Sequence, residues 1–316
     1  MTTWHQTVFS QQAGLEYPIV QGPFGGGLSS VELVTAVSES GGLGSFGVHH
    51  LNGPDILATA AAIRARTMRP FALNLWIPLD DREASSLDDA AFAQHVARLR
   101  PFFDMLDIPP PARPAQFAPP FAEQIAAVLE ARPPVFSFVY GIPSADVLSA
   151  CRARGILTLG AATTAEEARA LELAGVDAIV ATGSEAGGHR VSFLRPAEAS
   201  LTGTLALIPQ VVDAVRIPVI AAGGIADGRG IAAALALGAQ GVQIGTAFLA
   251  CAESAASLPH RSALFSPEAR HTTLTRVFSG RLARGIHNRF VDALKPFEAD
   301  VPAYPVQNWL TGHLKR

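Results

Sequence analysis

The sequence predicts an α/β fold of the (β/α)8 TIM-barrel type, and three features of its 316 residues carry that expectation. Short β-rich runs alternate about eight times with helical stretches rich in Ala and Leu, the rhythm of a closed parallel sheet wrapped by helices. Runs such as Val219-Ile220-Ala221-Ala222 are apolar at every position, as a strand covered on both faces must be. The intervening helices are amphipathic. In 164–174, Ala168, Leu171 and Leu173 are expected to face the sheet, and Glu166, Glu167 and Arg169 the solvent. An open doubly wound sheet is the alternative arrangement of the same pattern.

The first strand is read at 17–21 and is followed by Gly25-Gly26-Gly27. Ser29 or Ser30 can accept the free N–H groups of a helix running to about Ser40, where Gly41-Gly42 stop it. Further strands are read at 43–47, 71–76, 135–140, 156–159, 178–181, 218–222 and 242–244. The rhythm breaks at 77–120 and again at 184–203. The first break begins with Asp80-Asp81-Arg82-Glu83, holds a helix over 88–99, and closes with prolines from Pro109 to Pro120. A connection this long after the third strand reads as an insertion or lid, because compact barrels join their elements with few residues. Residues 247–316 are expected to form a C-terminal extension over the barrel mouth, and 1–316 a single domain.

Composition narrows the class. Hydrophobic residues make up 49% and charged residues 16%, enough apolar surface to offset the entropy of ordering the chain. The 24 Lys and Arg against 27 Asp and Glu give a net charge of −3, so no basic excess draws the protein to nucleic acid or an anionic membrane. Cys151 and Cys251 have no metal-ligand spacing, and no metal site is expected. The opening Met1-Thr2-Thr3-Trp4-His5 lacks a basic stretch followed by an apolar one. A cytoplasmic protein without a signal peptide is therefore expected.

A barrel places its active site at the C-terminal ends of its strands. Those ends are rich in glycine, most clearly in Ala222-Gly223-Gly224-Ile225 and Gly245-Thr246. There two strands hand over to helix N-termini, whose free N–H groups and dipoles favour an anion, most often a phosphate. The Thr246 hydroxyl adds a donor, and no Lys or Arg lies in the cradle. Sugar phosphates, nucleotides and FMN all use such a site. The remaining strand ends, Phe24, Phe46, Asn74 and Trp76, are apolar or amide-bearing, which suits the isoalloxazine ring of FMN, with Gln21 and Asn74 placed to bond its polar edge.

His189 follows two glycines in Thr182-Gly183-Ser184-Glu185-Ala186-Gly187-Gly188-His189-Arg190, directly after the sixth strand. An imidazole on that face can take or give a proton near neutral pH. His49 and His50 follow the second strand and read as an exposed loop doublet.

With these residues in view, the chain resembles the nitronate monooxygenase family. The likeness is carried by Pro18-Ile19-Val20-Gln21-Gly22-Pro23-Phe24, by Gly41-Gly42-Leu43-Gly44-Ser45, and by the His189 loop. Ala221-Ala222-Gly223-Gly224-Ile225 through Gly245-Thr246, the tail run 278–285 with Asn288, and 304–308 add to it. The resemblance implies an FMN-dependent barrel in which Gly22, Pro23 and Phe24 lie against the flavin, Asn74 contacts the ring and Gly187 borders it. It implies that Ala222, Gly223, Gly224, Gly245 and Thr246 hold the phosphate, and that His189 is the catalytic histidine. One departure stands out: family members often carry Lys or Gln just beyond the fifth strand, where this chain has Gly160-Ala161-Ala162-Thr163.

The implied reaction is oxidation of an alkyl nitronate, such as propionate 3-nitronate, by O2 to a carbonyl compound and nitrite. Protonated His189, helped by Arg190, is expected to stabilise the anion, and neutral His189 to act as base on a neutral nitroalkane. Alternatives on the same fold are NAD(P)H-dependent reduction of a quinone or an enoyl thioester. Rivals of other classes are a flavin-free sugar-phosphate isomerase or epimerase and a non-enzymatic flavin-binding protein. The oligomeric state, homo-oligomer or monomer, stays open.

Overall fold

Eight parallel strands make the central sheet of the computed structural model, which describes residues 3–79 and 87–315. They are β1 (Ile19–Gln21), β2 (Gly44–Gly47), β3 (Phe71–Trp76), β4 (Val135–Val139), β5 (Leu157–Ala162), β6 (Ala178–Thr182), β8 (Val219–Ala222) and β9 (Gly241–Ile244). Their order is β1-β9-β8-β6-β5-β4-β3-β2. Gln21 N donates to the Leu43 carbonyl and Leu43 N to that of Ile19, both at 2.9 Å, so β1 and β2 meet and the sheet closes into the expected barrel.

Alternation along each strand divides the core in two. Ala72, Val135, Leu159, Ala161, Val180, Ile220 and Ala222 fill the interior. Leu73, Leu75, Phe136, Phe138, Ile179 and Val219 point outward into a second cluster with the surrounding helices. A short helix Val8–Ala13, absent from the sequence reading, buries Phe9 and is tied to the barrel by Thr7 Oγ1, which donates to the Gln240 carbonyl at 2.7 Å. Ser30 caps Val31–Glu39 as expected, its hydroxyl accepting the Leu33 N–H at 3.0 Å.

The helix Ala165–Leu173 corrects the sequence reading. Leu173 is 88% exposed and Glu167 is fully buried. The 3.6-residue period explains both: Glu167, Ala168 and Leu171 share one face, whereas Leu173 lies about 200° around the helix from Leu171.

The chain divides into two compact units. The first is the barrel, running to Leu79 and including Pro119–Gly187 and Val191–Phe265. The second gathers the insertion, Gly188–Arg190 and the tail from Ser266. Within it, β7 (Gly188–His189) and β10 (Thr272–Thr275) flank β11 (Ala283–Ile286) in an antiparallel sheet. The insertion helix starts at the expected cap, Asp88, but spans Asp89–Met105, past Pro101. Its Phe92, Leu99 and Phe103 join Val277, Val291, Leu294, Val306 and Leu310 in this unit's own core. The expected insertion start, Asp80 to Glu83, lies outside the described residues.

Candidate functional site

The predicted cradle is assembled in the barrel unit. Gly223 and Gly224 follow β8 with φ of 112° and 69°, backbone that glycine adopts without penalty. A Cβ on Gly223 would stand 2.7 Å from Thr204 Oγ1 and 3.0 Å from Ala186 N, so only glycine lets this backbone pack directly on the 183–187 loop and on Thr204. After β9, Gly245 leads into the turn Thr246–Leu249 with no side chain capping its N–H groups. Gly22 N donates to the Ile244 carbonyl at 2.8 Å, which lays Gly22 against Gly245, and the Phe24 ring reaches the same glycine. A Cβ on Gly187 would meet Thr246 Oγ1 at 3.3 Å. Gly22, Phe24 and Gly187 are thus near Gly245 and Thr246, and Gly223 is near the 183–187 loop, with Gly224 and Thr246 exposed. A surface-facing floor of glycines ringed by amide and hydroxyl donors suits an anion such as a phosphate.

Glu185 is a participant that the sequence reading passed over. Its carboxylate accepts the Thr204 N–H at 2.8 Å and the Thr204 hydroxyl at 2.9 Å, capping Thr204–Ala214 where the N-cap, Gly203, has no side chain to do so. Burial alone would raise its pKa, but the Thr204 amide and the Thr204 and Ser184 hydroxyls together hold it below the usual carboxylate value.

Across the mouth, the two predicted amides are turned into the barrel wall. Gln21, with no exposed surface, accepts the Ser45 N–H at 2.9 Å and donates to its neighbour Gly22's carbonyl. Buried Asn74 donates from Nδ2 to Ser137 Oγ at 2.9 Å. His49 departs from the expected exposed loop: it is 7% exposed and stacks on Trp76 at 4.0 Å with 6° between the rings. Gln124 Nε2 holds the carbonyls of His49 and Leu51, both at 2.8 Å, while His50 stays exposed. Tyr140 continues the aromatic row edge-on to Trp76 at 5.2 Å. It is buried with φ of 70°, a conformation rare for a bulky side chain. No local pattern marks it.

His189 lies in the second unit, paired with Ala283 across β7 and β11. Its Nε2 is 2.7 Å from Ser279 Oγ. Ser279 Oγ also lies 3.2 Å from the Arg281 carbonyl and accepts the Arg281 N–H at 3.3 Å. Burial, reinforced by the positive charges of Arg281 and Lys315, pushes the pKa of His189 down to about 3. The expected imidazolium is therefore corrected: His189 is neutral at ordinary pH. Two buried arginines of this unit are Arg190, fully buried, and Arg281, whose guanidinium sits 4.2 Å over the Tyr304 ring.

A family model described as nitronate monooxygenase matches residues 6–316. A probable nitronate monooxygenase of Staphylococcus aureus (strain Newman) is 41% identical over 314 residues, 99% of this chain and 87% of the relative. Nitroalkane oxidase from Streptomyces ansochromogenes superposes with a TM-score of 0.87 at 38% identity, covering 97% of this chain and 86% of that one. FabK from Thermotoga maritima follows at a TM-score of 0.73 and 28% identity, over 94% and 79%.

Proposed function

The chain belongs to the nitronate monooxygenase family, and from that premise we propose that it oxidises alkyl nitronates with O2, using FMN, to a carbonyl compound and nitrite. The observation that carries the cofactor assignment is the pair of adjacent glycine-rich strand ends, Gly223-Gly224 after β8 and Gly245 before the uncapped turn Thr246–Leu249 after β9. When bound, FMN supplies the transfer of electrons from the nitronate to oxygen. Gly223, Gly224, Gly245 and Thr246 would hold the phosphate, and Gly22, Pro23, Phe24 and Gly187 would border the cofactor.

His189 acts as the base. Its neutral ring takes the α-proton of a neutral nitroalkane, while Ser279 positions the ring through Nε2. A preformed nitronate needs no such step. Arg190 and Arg281, rather than an imidazolium, supply the positive charge that favours the anion. The free thiols Cys151 and Cys251 accord with a cytoplasmic location. Among the described residues, no helix is long and apolar enough to cross a membrane.

Anaerobic mixing with an alkyl nitronate tests this reading. The flavin absorbance should bleach, then return with release of nitrite when oxygen is admitted. Bleaching by NADH or NADPH but not by nitronates would replace it with a reductase.

A further inference from the structure

Three strand ends of the barrel unit are tied together through one pair of side chains, Glu185 and Thr204. From the loop after β6, the Glu185 carboxylate accepts the Thr204 N–H with both oxygens, at 2.8 and 3.0 Å, and the Thr204 hydroxyl at 2.9 Å. Thr204 is itself buried between backbones. A Cβ on Gly183 would collide with its Oγ1, and one on Gly223 would stand 2.7 Å from the same atom. Ser184 N donates to the Thr202 carbonyl and Gly183 N to that of Ala222, both at 2.9 Å. The loop 183–187 thus runs from Thr204 to the glycine-rich ends of β8 and β9. Ala186 N lies 3.0 Å from where a Cβ on Gly223 would be, Glu185 Cβ 3.4 Å from one on Gly224, and Thr246 Oγ1 3.3 Å from one on Gly187. A carboxylate has the wrong charge to touch a phosphate. Here it is turned to the N-terminus of the helix Thr204–Ala214, which favours negative charge. Its contribution to an anion site is therefore one of position and not of contact.

We propose that Glu185 is a positioning residue for the cofactor phosphate: by latching 183–187 to Thr204 it holds Ala186 against Gly223 and Gly187 against Thr246 before the cofactor arrives. The inference rests on the FMN reading above. A loop that folding has already ordered does not subtract its ordering entropy from the binding free energy. The effect belongs to the phosphate end, because the latched loop packs on the ends of β8 and β9. Riboflavin, which has the same ring system and no phosphate, does not draw on it.

Titration of the full-length, deflavinated protein with FMN and with riboflavin, followed by flavin fluorescence, tests this without turnover. The wild type should bind FMN at least about 100-fold tighter than riboflavin, as several hydrogen bonds to a charged group imply. Glu185→Ala should lose about tenfold or more of that preference while its riboflavin affinity stays within about twofold of the wild type. Glu185→Gln keeps an acceptor for the Thr204 N–H and should retain most of the preference. Thr204→Val keeps the volume without the hydroxyl and should fall between the two. A residue that only caps the helix would lower the melting temperature of Glu185→Ala and leave the FMN-to-riboflavin ratio unchanged, and that result overturns the latch. If Glu185→Ala does not fold, a wild-type ratio in Thr204→Val overturns it instead. Equal affinity of the wild type for FMN and riboflavin would remove the FMN reading and the latch with it, whereas a wild type that prefers FMN beside a Glu185→Ala that prefers it equally removes the latch alone.

Discussion

The carboxylate of Glu167 accepts the backbone N–H of Phe193 at 2.6 Å. The same buried group also accepts from Leu194 N at 3.1 Å and from Thr163 N and Oγ1, both at 2.7 Å, while Thr163 Oγ1 lies 2.8 Å from Ser192 Oγ. Four donors converge on one carboxyl group with no exposed surface, so its buried oxygens are not left without hydrogen bonds. The stretch 192–194 is thereby fixed to the end of β5, just after His189-Arg190 in the chain. Glu185 does the same at the other end of the loop by holding Thr204.

Glu167→Gln should therefore lower stability without changing the fold. An amide offers one acceptor oxygen, and its NH2 faces donors, so at least one buried N–H or O–H loses its partner, at about 1–3 kcal/mol. The midpoint of urea unfolding reads this directly. An unchanged midpoint at unchanged slope would mean that the carboxylate contributes nothing there.

Gly224→Asp should fold and purify without flavin. Asp tolerates the left-handed backbone that φ of 69° requires. Its carboxylate would sit among donors aimed at a phosphate, and beside Glu185, whose Cβ lies 3.4 Å from where the new Cβ would be. The ratio of flavin absorbance to protein absorbance checks it, and full flavin content would show that the cradle lies elsewhere.

His189→Asn should keep the flavin and lose about 100- to 10,000-fold in rate on neutral nitroalkanes, the usual cost of removing a positioned base. The loss on preformed nitronates should be smaller, since no proton is abstracted. Steady-state rates on both forms decide it; equal, near-wild-type turnover on both would remove His189 from the chemistry.

The depressed pKa of His189 also has a stability consequence. The folded value is about 3 against 6.5 for an unperturbed ring, so between these pH values the unfolded chain binds the extra proton. Stability then rises with pH through this window and is lost as the pH falls from about 6.5 toward 3. Thermal melts across that range should show a shallower acid loss for His189→Asn than for the wild type. Parallel curves would mean that the folded protein protonates His189 as readily as the unfolded chain.

The local sequence determined the barrel and the glycine-rich ends of β8 and β9. Strand runs betray themselves by apolar residues at consecutive positions, and Gly223 and Gly224 by a backbone that only glycine adopts freely. Neither property needs a distant partner to be recognised. The insertion helix was legible at its start, because Asp88 caps its own neighbours, but not at its end, where Pro101 is carried inside the helix by the core around Phe103. Tertiary structure alone decided the rest. Glu167 looks like a surface residue until Phe193, 26 positions away, supplies the N–H that makes its burial bearable. His49 looks like a loop histidine until Trp76 covers its face. His189 looks like a group poised near neutral pH until burial with Arg281 and Lys315 close by removes its proton. A residue type states what it can do, but whether a polar group is charged, buried or free is an energy difference between water and particular neighbours, and folding chooses those neighbours from across the chain.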